Sequence, residues 1–520
     1  MTSRRKVIEV IPRCFKYLGW FMVMLISVLS IACSNQQKVV YDNEDTVSVF
    51  IFNATIIDIY TGAEAVKDIL IREGRIIDIQ PQGILNNSQR LKNVISIDAS
   101  GQYAIPGLWD MHVHMNYILE LSDDWMAPLF IAHGVTNVRD MGGEFDRILM
   151  LQQQLKQPGV VAPKLWFAGP VIDGSPAVFD GRGEFMKQFP TMPKVPVDTP
   201  EAAIAFVDRL AATGVHFIKP YEMLRPDVFS AMVKRAHHHG LLVDGHVPQR
   251  MTISEAIAAG MDGVVHMKGV DYGCARDPQA LKAERVSILN QMDEHASGGT
   301  AWMKVLGVAV PKAMAQQDPD RCDALIKLFV NNGTWHTPGI STEAFLATLA
   351  DGNNLAQWHD ATEAMPAVAR ARKSAQYDQL MGGHEERAKL VQHMVDKYGW
   401  KQQLIKKMHH AGVKLLAGTD TPALLPPGFS LHHELEILVK AGLSPLAALQ
   451  TATINPARFF NVENEQGAIE IGKVADIVFL NANPLDDINN INAINTVIAR
   501  GQIFDRAALD ALMSQYTNAK

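Results

Sequence analysis

Residues 49–79 alternate short apolar runs with turn residues: 49–58, 68–72 and 74–79, with Gly62 and Gly74 between them. Runs of this kind, rich in Val and Ile and broken by glycine, predict strands joined by tight turns. A related pattern returns at 467–480 and 493–501. Strand-rich ends around a long middle predict one small β-sandwich-like domain built from both termini, 34–105 together with 461–520. The middle, 106–460, instead alternates short apolar runs with helical stretches, the pattern of a parallel α/β fold. Eight runs can be read in order: 107–112, 135–140, 165–169, 215–219, 241–246, 263–266, 333–337 and 413–420. Eight is the number a (β/α)8 TIM barrel needs, and in such barrels the C-terminal strand ends form the active face. Polar residues end most of these runs, among them His112, Lys219, His246, His266, His336 and Asp420.

With 520 residues the chain is long enough for a large catalytic domain and a smaller one. Hydrophobic residues make up 48% and charged residues 20%, so a packed globular chain is expected rather than a disordered one. The net charge of −7, with both signs interspersed, argues against nucleic acid as a partner, because phosphate binding needs a basic face.

The first residues read as a targeting segment. Arg4, Arg5, Lys6, Arg13 and Lys16 are followed by an uncharged, mostly apolar run, 17–32. That run is short for a bilayer-spanning helix and suits a signal-peptide core. It ends Leu29-Ser30-Ile31-Ala32-Cys33, which resembles a bacterial lipobox, so 1–33 is expected to be a signal with Cys33 lipidated. An ordinary cleaved signal or an uncleaved anchor is the alternative. Either way the body is expected in the bacterial cell envelope, with a membrane contact through its N-terminus. The four cysteines, Cys14, Cys33, Cys274 and Cys322, form no CxxC pair, which disfavours a thiolate zinc site. In an oxidising compartment Cys274 and Cys322 are either a disulfide or two buried thiols. Whether the chain forms a homo-oligomer is open at this level.

The chemistry begins at His112-Val113-His114. On a strand, alternate residues point the same way, so both imidazoles can reach one ion. The pair closes Pro106-Gly-Leu-Trp-Asp-Met-His-Val-His114. This motif resembles the first-strand signature of the amidohydrolase superfamily. It is most similar to the branch with imidazolonepropionase-like proteins, metal-dependent prolidases acting on Xaa-Arg or Xaa-Lys dipeptides, and ochratoxin-hydrolysing amidase. Gly134-Val-Thr-Asn-Val-Arg-Asp-Met-Gly-Gly143 resembles the second-strand motif. Ser430–Pro445 with Ala452–Ala457 resembles the segment after strand eight, and Gly472-Lys-Val-Ala-Asp476-Ile-Val the closing β-domain signature. The likeness runs from about Val47 to Arg506.

The resemblance implies a site. His112 and His114 match the first-strand ligands, Lys219 the fourth-strand lysine that is carboxylated in two-metal members, and His246 and His266 the histidines ending strands five and six. Asp420 matches the aspartate ending strand eight. Imidazole and carboxylate suit two divalent ions, Zn²⁺ above all. An ammonium would repel two dications, whereas a CO2-derived carbamate on Lys219 would bridge them, and burial favours the neutral amine that reacts. A metal-bridging hydroxide would attack the amide carbonyl, and Asp420 would pass its proton to the leaving amine. The expected substrate is a small amide or dipeptide, cleaved by a dipeptidase, prolidase or N-acyl amino acid amidase. A hydrolase of cyclic amides is the enzyme alternative, and a non-catalytic envelope lipoprotein the alternative outside catalysis.

Other candidates are weaker. Tyr221, two residues past Lys219, could act in catalysis by bonding the substrate carbonyl, or could simply pack. His336 could line the pocket. Arg139 and Asp140 are expected to form a buried structural pair. His432 or His433 could face the pocket or flank the following helix, and Asp420 could also cap one, since Thr-Asp-Thr-Pro is a helix-start signal. His237–His239 read as a solvated helix end. Loops near 173–196 and 271–317 are expected to shape the pocket.

Overall fold

The computed structural model describes residues 48–85, 94–116, 125–180, 196–267, 269–292, 296–351, 384–422 and 425–515. The expected signal and Cys33 lie outside these residues. Val47–Lys520 form one compact unit. Among the described residues no helix is long and apolar enough to cross a membrane.

Five strands open the described chain: β1 (Ser48–Ile57), β2 (Glu64–Arg72), β3 (Arg75–Pro81), β4 (Val94–Asp98) and β5 (Tyr103–Pro106). The alternation that predicted them buries one face, with Ile51, Ile69, Ile71, Ile76 and Ala104 in a single apolar cluster. Eight strands follow in the middle of the chain. They are β6 (Leu108–Val113), β7 (Val135–Asp140), β8 (Lys164–Phe167), β9 (Phe217–Ile218), β10 (Leu242–Gly245), β11 (Gly263–Val265), β12 (Trp335–Thr337) and β13 (Lys414–Leu415). Three close the fold: β14 (Ile477–Leu480), β15 (Ile494–Ala499) and β16 (Gln502–Phe504).

Both chain ends meet in one eight-stranded sheet, ordered β16-β15-β14-β5-β1-β2-β3 with β4 beside β1. The junction is β5 against β14, antiparallel, Val478 facing Ile105. Strands from 48–106 and 477–504 thus share a single sheet.

All eight middle strands fall where the sequence placed them, and all their pairings are parallel. They form two sheets, β6-β7-β8 and β13-β12-β11-β10-β9, rather than one continuous ladder of eight. Single parallel bridges join the edges, Val113 with Thr421 and Ile172 with Pro220. The Met111 N–H also donates to the Ala417 carbonyl (2.9 Å), and His216 N–H to that of Phe167 (2.9 Å).

The intervening helices follow from caps and periodicity. In Pro200–Ala212, Thr199 accepts from the Ala202 N–H, proline occupies the first turn, and Ala203, Phe206, Val207 and Leu210 are buried. Between β11 and β12 the chain inserts four helices, Val270–Gly273, Pro278–Asn290, Gly298–Ala315 and Pro319–Asn332. Together with Val171, Phe179 and Tyr221 the first three build a second apolar core, while Pro319–Asn332 packs Cys322, Leu325, Ile326 and Phe329 into the main one. A disulfide joins Cys274 to Cys322 across this insertion, with Cα atoms 4.3 Å apart, which settles the choice the sequence left open.

Candidate metal centre

β6 ends in the pair that opened the argument, and the structure turns both imidazoles toward one carboxylate. Asp420 Oδ1 lies 3.4 Å from His112 Nε2 and 3.2 Å from His114 Nε2, while Oδ2 lies 3.7 Å from His266 Nε2. His112, His266 and Asp420 bring ligand atoms within 4.8 Å of one another. The His246 ring centroid is 5.3 Å from that of His266. Lys219, just past β9, is buried, and among the charges around it Asp420 acts most strongly. Burial pulls the Lys219 ammonium down to about 8, against the upward pull of Asp420 and Asp244. The same lysine helps hold His112 neutral: burial first, then the Lys219 charge, drives its pKa well below the ordinary range.

Asp420 is the opposite case. Burial alone would raise its pKa, but the hydrogen bond to His114 and the charges of His266, His114 and Lys219 hold it well below the usual carboxylate range. It is an anion facing three imidazoles, the form a divalent cation requires. Both ring nitrogens of His112 are buried without a hydrogen-bond partner among the described residues. Buried polar atoms are normally satisfied, so an orphaned imidazole beside a carboxylate fits a metal ligand. The donor set therefore suits the divalent ions that the sequence implied.

A second layer of bonds fixes these side chains. His114 Nδ1 donates to the Gly142 carbonyl at 2.7 Å, which leaves Nε2 as the acceptor toward the centre. His246 Nδ1 faces Glu222 Oε1 at 2.7 Å, and Glu222 Oε2 accepts from Gln249 Nε2 at 2.6 Å. Asp110 accepts from Thr419 Oγ1 (2.7 Å) and N–H (3.1 Å) and from the His112 N–H (3.1 Å), tying β6 to the segment that carries Asp420. Burial raises Asp110 to about 7, with the Thr419 hydrogen bond opposing. Asp140 accepts from Met115 and Gly142 N–H groups and so shapes the turn that receives His114. Gly418 permits the close approach: a Cβ there would sit 2.8 Å from the His112 Cβ and backbone nitrogen.

Some expectations are corrected. Arg139 does not pair with Asp140. Its Nη1 lies 2.5 Å from Asp244 Oδ2, its Nε donates to the Met111 carbonyl, and both charges are fully buried. His336 is buried, with Nδ1 3.1 Å from the Val264 carbonyl, Nε2 3.0 Å from Met267 Sδ and its ring edge-on to Phe329. It is a core histidine, not a residue poised for substrate. Asp420 caps no helix among the described residues; the next one, Phe429–Lys440, has Gly428 at its N-cap. His432 bonds to the His133 carbonyl and Asn492, and His433 pairs with Glu436, both on that helix and away from the cluster. His237 and His239 do sit at a helix end, facing Asp262 and Asp208.

Tyr221 stacks on His246 with centroids 4.4 Å apart and packs against Phe179. Beside His266 opens a cavity of about 440 Å³, walled in part by the insertion expected to shape it. Glu222, Asp110 and Gln249 are the contributors that motif reading missed. Glu222 lies three residues past Lys219, and a carboxylate so close to a strand-end lysine was the available signal.

Residues 347–504 match the model of the amidohydrolase family. Curated relatives include an adenine deaminase of Halalkalibacterium halodurans, 24% identical over 46% of this chain and 37% of its own length. An imidazolonepropionase of Brevibacillus brevis is 32% identical over 19% of this chain and 24% of its own. The chain thus spans well under half the length of these relatives. Among solved structures, bottromycin amidohydrolase aligns over 91% of this chain and 90% of its own, with TM-score 0.65 and 21% identity. A Xaa-Pro dipeptidase with bound methionine in the active site covers 88% and 100%, TM-score 0.62, 19% identity. A. niger ochratoxinase covers 89% and 96%, TM-score 0.60, 16% identity. At such identities the likeness establishes a shared mixed α/β fold.

Proposed function

We propose that this chain is a metal-dependent hydrolase of the amidohydrolase type that cleaves a C–N amide bond in a small substrate, a dipeptide or N-acyl amino acid. The carrying observation is the Asp420 carboxylate, whose two oxygens face different imidazoles, beside a His112 ring with no other partner. In this reading the eight parallel strands form a (β/α)8 barrel, with the sheet of both chain ends as a smaller second domain.

His112, His114 and Asp420 would hold one divalent ion, His246 and His266 a second, and a carbamate on Lys219 would join them; zinc suits the donors. When bound, such ions polarise the carbonyl and lower the pKa of water. Asp420 faces the reaction space as an anion and takes a proton from the attacking water, then delivers it to the leaving amine. His114 and His246 present Nε2 because Gly142 and Glu222 hold their Nδ1 atoms. Tyr221, stacked on His246, borders the same space and is placed to meet the substrate carbonyl or carboxylate. The buried lysine beside Asp420 favours this two-ion reading over the one-ion cyclic-amide alternative.

The test is metal analysis of the purified chain together with a screen of dipeptides and N-acyl amino acids. About two ions per chain and turnover are expected, with both lost in Lys219→Ala. Fully loaded protein that hydrolyses no amide would refute the reading. The envelope location and Cys33 lipidation belong to the same proposal, and mass spectrometry of the mature N-terminus decides them.

A further inference from the structure

The lining of the cavity beside His266 includes apolar groups, Val247, Met267, Leu306 and Val310. It also includes polar groups, whose partnerships are unequal. Lys401 is buried and paired with Glu343, and Asp271 accepts from the Tyr272 N–H (3.0 Å) while its charge faces the buried Arg285. Of the cavity's carboxylates, Glu343 is thus ion-paired through one oxygen, and Asp271 is held by a backbone N–H. The donors are not used up. The Tyr272 side chain is buried, yet its hydroxyl has no hydrogen-bond partner among the described residues. Lys397 lines the cavity without an ion-pair partner among them, and Lys401 has ammonium protons beyond the one that meets Glu343. Glu343 Oε2 is the unpartnered acceptor against these donors.

A buried hydroxyl without a partner costs free energy, and such a group in a pocket wall is satisfied when a ligand supplies the acceptor. We propose that this cavity is the specificity pocket for one arm of the substrate, an arm with an apolar stem that ends in a carboxylate received by Tyr272, Lys397 and Lys401. The inference rests on the amide-hydrolase reading of the adjoining centre and adds the substrate class. The pocket also touches that centre: Gln249 lines it and donates to Glu222, which orients His246.

Two measurements test the pocket. The first compares metal-loaded protein on amides whose arm is glutamate, glutamine or lysine. The glutamate arm should exceed the isosteric glutamine in kcat/KM by about tenfold, the scale of one charged hydrogen bond. That ratio should fall toward one, through KM, in both Tyr272→Phe and Lys397→Met. Tyr272→Phe removes an unpartnered hydroxyl, so it leaves no bonding partner stranded and should fold. Preference for the lysine arm, or a ratio unmoved by both variants, overturns the proposal. The second needs no turnover: calorimetric binding of glutarate against its diamide, with the glutarate site located crystallographically. Glutarate seated at Tyr272 and Lys397 supports the pocket even if no amide is hydrolysed, a result that would sink only the amidase reading. Turnover without charge preference, and glutarate absent from the cavity, sinks the pocket and leaves the amidase reading intact.

Discussion

Replacing Glu222 by Gln tests whether the centre depends on a residue that touches no substrate. Glu222 is buried, and its two oxygens receive His246 Nδ1 at 2.7 Å and Gln249 Nε2 at 2.6 Å. A glutamine of the same shape keeps one carbonyl oxygen, so it can satisfy one of those donors. Its amide NH2 must then face the other, and a donor meets a donor. Hydrogen bonds to a charged acceptor contribute about 1.5–3 kcal/mol, and neutral ones about 1. If the carbonyl keeps His246, the loss is the charge assistance alone; if Gln249 wins, His246 is free to turn. At about 1.4 kcal/mol per tenfold, the span is roughly three- to a hundredfold in divalent-ion affinity. The assay is competition for zinc against a chromophoric chelator, with circular dichroism to confirm the fold. Glu222→Ala, which removes both acceptors, should lie at or beyond the upper end. Wild-type zinc affinity in both variants would show that His246 is held by something else, and the proposed role of Glu222 would fail.

Three further outcomes are expected. The Cys274–Cys322 bond closes a loop with sequence separation 48, so Cys274→Ala with Cys322→Ala should lower unfolding free energy by about 4 kcal/mol, read from a denaturant midpoint; no shift would mean that the thiols contribute nothing as a cross-link. Gly418→Ala puts a Cβ 2.8 Å from the His112 backbone nitrogen, and the segment must shift at a cost of about 1–3 kcal/mol, with turnover falling more than stability; full activity would refute the tight approach. Glu434 is buried, and burial raises its pKa to about 7 although the Ser341 and Ile340 N–H groups oppose this. The folded state therefore binds more protons than the unfolded one between about pH 4.5 and 7, and stability contributed by Glu434 falls as pH rises through that window. Glu434→Gln should flatten that part of the stability–pH curve, and an unchanged slope would refute the assignment.

The eight middle strands were legible because each is a short apolar run ending in a polar residue, and that polarity change marks where a strand leaves the core. The pairing of Ile105 with Val478 was legible only as two similar patterns far apart. The sequence reading places a loop at 271–317, where the structure has the helices Pro278–Asn290 and Gly298–Ala315 and, at its start, Val270–Gly273, which is too short to show a period. At the site, His112 and His114 announce themselves by spacing. Arg139 was assigned to Asp140 because they adjoin, yet on a strand adjacent side chains point to opposite faces. The true partner, Asp244, is 105 residues away on another strand. His336 shows the converse failure. A polar residue at a strand end implies the pocket, but its nitrogens are satisfied inside by a carbonyl and a thioether.

One feature of the centre had no sequence signal: two of the proposed ligands occupy left-handed backbone conformations, His266 at φ 56° and Asp420 at φ 59°. For residues other than glycine this costs about 1–2 kcal/mol each, and it persists only where surrounding bonds over-determine it. Those bonds are present. The His266 N–H donates to the Thr337 carbonyl (2.8 Å), the Asp420 N–H to that of His112 (2.7 Å), and Thr419 is clamped by Asp110. The left-handed turn breaks the strand's alternation at the residue that must face the centre. It thus frees the His266 and Asp420 side chains from the direction that continued β geometry would impose. The neighbouring strands supply the restraint that makes this local cost tolerable, which is why the fold and the centre are not separable: the bonds that join the two sheets at their edge are also those that aim Asp420.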